Sequence, residues 1–332
     1  MKHARIFILC MTMVMGALLS ACGSNAEKTN TNVNAPTVQA SNTTNNKGTG
    51  SSEPATRMYT DSKGHQVEIP TKAVRVIYTG GELGDLLAID VKPVGAALGI
   101  IGDQIAYPEL IEGISDVGDL LGDLEKVTAL DPDLILLDSG GSYYEENAFD
   151  QLSKIAPTIT YDRLSTNERL RVFGDIFGKQ AEAEQWISNY DAKAKDVVSK
   201  LNINTDVTAS VFLQLGKDFY IMGNASLGST VYETLGFSPS AKVKEELIDK
   251  GEAFANISSE VYADLAGEWM FVLTDDDETT RAAADSFTNE PLWKAIPAVK
   301  NGKVYYLNTM WNFDDAITKE RLLDELPNIV NQ

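Results

Sequence analysis

The sequence predicts an α/β protein of two Rossmann-like lobes, each on a mainly parallel sheet, joined by one long α-helix. Three observations carry that prediction. Strand-like and helix-like patterns alternate along most of the chain, which implies parallel sheets with right-handed crossovers. The run Thr166–Leu201 has the longest helical apolar spacing without proline. In it Ile187, Tyr190, Ala194, Val197, Val198 and Leu201 recur at steps of three and four, one face of a helix. Similar sequence then stands on either side of that run: EKVTALDPDLILL from Glu125 and EVYADLAGEWMFV from Glu260. Both read Glu, four residues, Leu, two residues, an acid, then an apolar stretch, which gives helix, tight turn and buried strand twice over.

The chain opens with Lys2 and Arg5 ahead of the apolar run Ile6–Leu19. That is a secretory signal, too short to span a membrane comfortably. It ends in Leu19-Ser20-Ala21-Cys22-Gly23, which resembles the lipobox of bacterial lipoproteins. The resemblance implies cleavage of residues 1–21 and a diacylglycerol on the Cys22 sulfur, placing the protein on the outer face of the cell membrane. Cys10 lies within the signal, so the mature chain keeps one cysteine and forms no internal disulfide. Two acyl chains suffice for a durable anchor where one is marginal. Residues 22–56 are Asn, Thr, Ser, Ala, Gly and Lys with almost no large apolar side chain, a flexible tether reaching about 30 Å.

The folded part begins near Arg57, and an N-terminal lobe is expected over 57–178. RMYTDSKGHQVEIP alternates around the turn Asp61–Gly64 and reads as a hairpin. Then follow a strand at 74–78, a helix at 81–89, a strand at 93–98, and the first repeat unit leading to a strand at 134–137. A helix at 145–155 and a strand at 158–161 complete the lobe. Gly178 interrupts the long helical run, so the connecting helix is expected over 179–201. In the C-terminal lobe, 202–332, strands are expected at 209–215 and 220–223, and a helix at 227–235 is ended by Gly236. The second repeat unit leads to a strand at 269–274. A helix at 291–299, a strand at 303–307 and a closing helix at 315–326 follow.

With 332 residues there is ample material for a large core. The formal charge is −20, and more negative once Lys2 and Arg5 are removed. That sign opposes nucleic-acid binding and opposes the domain lying on an anionic membrane. His3 and His65 are the two histidines. A Ser-His-Asp or Cys-His mechanism has no base beyond His65, which reads as structural, and an imidazole metal site is equally unavailable. Thr79-Gly80-Gly81-Glu82 has glycines, but the spacing is wrong and an acid sits where phosphate would approach. Carboxylates are abundant enough to supply a glycosidase-like acid pair. Glu125 and Glu260, however, each begin a helix on matching elements, which suits two equivalent surface positions or two first-turn residues favouring the helix dipole.

Aromatic residues gather at predicted strand ends: Tyr78, Tyr143, Tyr144, Phe219, Tyr220, Trp311 and Phe313. Loops after the carboxyl ends of parallel strands hold ligands in open α/β sheets, and aromatics there suit a bulky, partly apolar molecule. The basic residues near these loops are few: Arg163, Lys217, Lys242 and Lys319.

Several motifs in order resemble the substrate-binding proteins of iron-siderophore ABC transporters, from about Val67 to the end. They are RVIYTGGELGDLLAIDVKPVGA from Arg75, Asp116-Val-Gly118 with Asp123 and Glu125, ALDPDLIL from Ala129, DQLSKIAPTIT from Asp150, Leu235-Gly236-Phe237 and WKAIPAVKNGKVYYL from Trp293. The resemblance implies a monomeric receptor that holds a ferric siderophore between two lobes and changes shape little. It implies no cofactor, since the siderophore carries the iron. It also implies that Glu125 and Glu260 dock on arginines of the two permease subunits. Trp311-Asn312 resembles the ligand loop of hydroxamate binders. The ligand-contact residues expected from these readings are Tyr78, Tyr143, Tyr144, Arg163, Lys217, Tyr220, Trp311 and Phe313. Family members often carry arginine after the long helix, whereas Gln214–Tyr220 has only Lys217. That favours a near-neutral trihydroxamate or a mixed carboxylate-hydroxamate over a tris-catecholate. The alternatives are cobalamin or haem on the same fold, and an extracellular carboxylate-dependent hydrolase.

Overall fold

The computed structural model describes residues 55–101, 105–119, 122–140, 144, 146–201, 206–275 and 277–330. The signal, Cys22, the tether and Tyr143 lie outside the described residues.

Strands β1 (Thr56–Thr60) and β2 (Gln66–Pro70) form the expected antiparallel hairpin, with Tyr59 opposite Val67. Its tip is tied down by Asp61, which accepts hydrogen bonds from Thr160 N (2.9 Å) and Thr160 Oγ1 (2.7 Å). His65 lies 2.8 Å from the same carboxylate and stacks on Phe149 at 3.8 Å, a packing role.

The N-terminal sheet is wholly parallel. Its elements are β3 (Val76–Thr79), α1 (Gly84–Ala88), β4 (Gly95–Ala96), α2 (Leu98–Ile101), β5 (Ser115–Asp116), α3 (Leu124–Ala129), β6 (Leu134–Asp138), α4 (Glu146–Leu152) and β7 (Thr158–Tyr161). The strand order is β5-β4-β3-β6-β7. Strands β3 and β7 are buried throughout and β6 over Leu134–Leu137, as strands covered on both faces of a parallel sheet are.

The long run is two helices, α5 (Thr166–Phe177) and α6 (Gln180–Leu201). A full capping box of Ser165 and Glu168 starts α5, and Gly178 ends it in the left-handed conformation, φ 66°. Along α6, Ala183, Trp186, Ile187, Tyr190, Ala194 and Val197 are buried, with Trp186 stacked on Tyr190 at 4.9 Å.

The C-terminal lobe contains β8 (Thr208–Leu215), β9 (Asp218–Met222), α7 (Leu227–Ser229), β10 (Ser238–Pro239), α8 (Ala241–Glu246), β11 (Phe254–Asn256), α9 (Tyr262–Leu265), β12 (Trp269–Leu273), α10 (Glu278–Asn289), α11 (Pro291–Ala295), α12 (Pro297–Lys300), β13 (Val304–Leu307) and α13 (Ala316–Val330). The order is β11-β9-β8-β12-β13, with β10 beside β8. In this mainly parallel sheet β9 is the exception: it runs antiparallel to β8, from which the two-residue hairpin loop Gly216-Lys217 turns it back, and antiparallel to β11. The expected helix at 291–299 is also two, since Pro297 forces Ile296 into extended backbone (ψ 132°). Helix α7 widens into a π turn over Thr230–Thr234.

Alternation along β8 and β12 splits the packing. Val211, Leu213, Phe271 and Leu273 join a core that continues into the N-terminal lobe through α5, α6 and α13. Phe212, Met270 and Val272 face the opposite way into an aromatic cluster with Phe219, Tyr262, Phe287 and Trp293. Each such side chain contributes roughly 1.5–3 kcal/mol on burial.

A Cβ at position 178 would meet nothing within 4 Å, so only its backbone angle resists substitution. Gly178→Ala is expected to cost about 1 kcal/mol, and Gly178→Asn less, in urea unfolding. A neutral alanine would mean that the connector runs unbroken through this position.

Candidate functional site

Where β3, β6 and β7 end, their carboxyl ends open on a cleft of about 530 Å³ whose opposite wall comes from the C-terminal lobe. The volume suits a buried small ligand. Glu82 follows β3, Asp138 and Gly140 end β6, and Tyr161 to Ser165 lead from β7 into α5. The facing wall holds Met222 at the end of β9, the turn Asn224–Ser226, Ile248 and the approach to β11 as far as Phe254. One wall is therefore charged and the other partly apolar. Phe254 is 56% exposed, and the Tyr220 ring stands edge-on to it at 5.8 Å. Ser226 has φ 51°, a strained setting for a residue with a side chain, in the turn that forms this wall.

A buried ionic network forms the floor. Arg169 Nε donates to Asp85 Oδ2 at 2.6 Å, its Nη1 donates to the Leu164 carbonyl at 2.6 Å, and its Nη2 donates to the Asp314 carbonyl. Asp314 also accepts from Ser229 Oγ and pairs with Lys319 Nζ, both at 2.7 Å. Asp85 Oδ1 takes the Ala316 N–H at 2.7 Å, which starts α13. Asp315 accepts from Thr318 N and Oγ1 and from the Tyr107 hydroxyl, and that hydroxyl accepts from Gly84 N at 3.0 Å. Helix α1 approaches so closely that a Cβ at Gly84 would overlap the Asp315 carboxylate at 1.8 Å.

Burial lifts the Asp85 carboxyl above its ordinary range, opposed by the bonded Arg169. The carboxylates of Asp85, Glu82 and Asp314 in turn hold Arg169 firmly charged. Burial and then Asp85 push Asp315 up to about 7. At the other end of the wall, burial also raises Asp138.

Of the residues expected to contact a ligand, Arg163 lines the cleft. Tyr78 is fully buried, its hydroxyl accepting from Tyr161 at 2.8 Å, so Tyr161 stands between it and the cavity. Tyr144 bonds Glu146 at 2.9 Å and lies under Lys63, outside the lining. Trp311 is buried beside a smaller groove with Ala106 and Arg321, and Phe313 packs half-buried on the core. Lys217 lines a larger hollow of about 850 Å³ on the C-terminal lobe, with Tyr262 and Phe287. That hollow belongs to one lobe, so the cleft between both lobes is the better candidate. Lys319 does reach the cleft, whereas Lys242 pairs with Asp264 on the surface.

Glu125 and Glu260 sit in the first turns of the helices that lead to β6 and β12, both exposed. Among the described residues no hydrogen bond or ion pair engages either carboxylate.

A family model described as "Periplasmic binding protein" matches residues 76–309. The chain is 29% identical to the Iron(3+)-hydroxamate-binding protein FhuD of Bacillus subtilis (strain 168), over 94% of this chain and 93% of that one. It is 27% identical to the Probable siderophore-binding lipoprotein YfiY of the same organism, over 98% and 97%. Among solved structures, Staphylococcus aureus SirA complexed with staphyloferrin B superposes with a TM-score of 0.73 at 25% identity, covering 83% of this chain and 98% of that one.

Asp315 gives this floor a pH signature. An acid whose pKa is higher folded than unfolded stabilises most below its unfolded value, near 4, and loses that contribution as pH rises towards 7. The loss is on the order of 4 kcal/mol at most for a fully buried group. Asp315→Asn keeps an acceptor for Thr318 and should flatten this dependence. Urea midpoints from pH 5 to 7.5 should fall for the wild type relative to the variant, and parallel curves would remove Asp315 from the account.

Proposed function

Because the chain belongs to the periplasmic binding protein family, we propose that it is a lipid-anchored, extracytoplasmic receptor that takes a ferric siderophore into the cleft and passes it to an ABC permease. The family is one of substrate-binding proteins rather than enzymes, so the site has to hold, orient and release.

The cleft carries this reading. It is walled by both lobes, its volume is about 530 Å³, and it offers Phe254, Met222 and Ile248 on one side and hydrogen-bonding groups on the other. Such a lining suits a bulky chelate with an apolar skirt and polar edges. On this reading the chelator, not the protein, supplies the ligands of the iron. Relatives named for hydroxamate and siderophore binding favour a hydroxamate or a mixed carboxylate-hydroxamate as that chelator. Delivery falls to Glu125 and Glu260. Exposed, and unpaired among the described residues, on matched elements of two lobes, they present two negative charges at a fixed spacing to the permease subunits, which steers encounter and fixes register. Anchorage falls to Cys22. Among the described residues no helix is long and apolar enough to cross a membrane.

Intrinsic fluorescence should quench when the right ferric complex is added, with affinity in the micromolar to nanomolar range, roughly −8 to −12 kcal/mol. No response to hydroxamate, citrate-based or catecholate complexes would contradict the assignment. Glu125→Ala and Glu260→Ala should each leave chelate binding in place and abolish iron uptake by cells. Loss of affinity in either variant would show that the docking role is wrong.

A further inference from the structure

The cleft is lopsided in charge. Glu82, Asp138, Asp162, Glu233, Glu252 and Asp314 face it, against Arg163, Arg169 and Lys319. Two of those cations are already engaged, Arg169 by Asp85 and Asp314 and Lys319 by Asp314. The surplus around a bound ligand is therefore negative.

The carboxylates are not equivalent. Asp138 accepts from Gly140 N at 2.8 Å, Asp162 from Arg163 N at 2.8 Å and Glu233 from Asn224 Nδ2 at 2.6 Å, while Glu252 is exposed to solvent. Glu82 differs. It is largely withdrawn from solvent where β3 ends, and among the described residues no hydrogen bond or ion pair engages its carboxylate. Burial pushes it up to about 7, opposed by Arg169 across the floor and reinforced by Asp138, Asp85 and Asp314. Tyr78 and Tyr161 are the remaining titratable groups beside it, and burial holds both neutral. A carboxylate left in this state lacks a cation.

We infer that the cleft selects ferric chelates of net positive charge, trihydroxamates that carry a free ammonium group, and that Glu82 pairs with that ammonium. The inference rests on the cleft being the ferric-chelate site. Three hydroxamates cancel the charge of ferric iron, so a pendant ammonium sets the charge of the whole complex. A tris-catecholate is instead strongly anionic and would enter against the field of the lining. The ammonium would find in Glu82 an acceptor with no competing donor. A neutral chelate of the same shape would leave the carboxylate buried and unpaired, which is where selectivity arises.

Ferric desferrioxamine B and its N-acetylated form share every iron ligand and differ by the one positive charge. Both should be titrated into the full-length protein and into Glu82→Gln at neutral pH, following tryptophan fluorescence. The wild type should prefer the ammonium form by about tenfold, and the variant should bring the two affinities together. Equal wild-type affinities would overturn the inference without any variant. So would a Glu82→Gln protein that weakens both chelates alike, or tighter binding of a ferric tris-catecholate. If none of the three chelates quenches, the ferric-siderophore reading itself fails, a result distinct from binding without preference.

Discussion

Arg169 is the interaction on which the arrangement depends. One guanidinium, buried where α5 begins, holds Asp85 of α1, the Leu164 carbonyl beside the cleft and the backbone of Asp314 at the entry to α13. Its rigid fork of donors suits three acceptors coming from three directions, which a lysine could not satisfy. A buried charge is tolerable only when fully paired, and removing one partner from such a set typically costs about 3–5 kcal/mol. The network therefore fixes α1, α5 and the start of α13 as one unit, and the charged wall of the cleft is built on that unit.

This alters the picture of the connection between the lobes. Sequence patterning suggests one long helix as the link, and α6 is that helix. The chain also returns: α13 leaves the C-terminal sheet, packs on α1 and α6, and places Arg321 on the Ala106 carbonyl and on Glu109. Trp186 and Lys193 of α6 reach Glu320 and Asp324 of α13. Two helices and a buried ion network thus cross the junction. Opening the lobes widely would bend both helices and break the Ser229–Asp314 bond that ties the C-terminal wall to the network, so small rearrangements of the cleft wall are the accessible motion.

The architecture was largely readable because its signals are local. Capping at Ser165, the glycine stop at 178, the apolar runs of β6 and β12 and the repeated Glu-to-acid spacing each follow from nearby residues. Helix α10 escaped because its described buried side chains are Thr280 and Phe287, too few to mark an apolar face, although Asp277 caps Thr279 and Thr280 in the usual way. The antiparallel turn of β9 escaped because alternation does not record direction. The cleft was harder still. Aromatic residues at strand ends marked Tyr78 and Trp311, yet both are buried, since an aromatic ring at a strand end serves a core as readily as a ligand. Glu82 stands in plain view after two glycines, but its meaning comes from Asp138, Arg169 and Asp314, which reach it from distant parts of the chain. Phe254 lies on a three-residue strand too short for any periodicity.

The central claim is that iron enters the cleft inside its chelator and is held by the walls, not by protein ligands. Anomalous diffraction at the iron edge, from crystals grown with a ferric trihydroxamate, tests it directly. The account predicts one iron peak between Glu82 and Phe254, coordinated by chelator oxygens alone. Iron bound directly to protein carboxylates, or located outside this cleft, would contradict it.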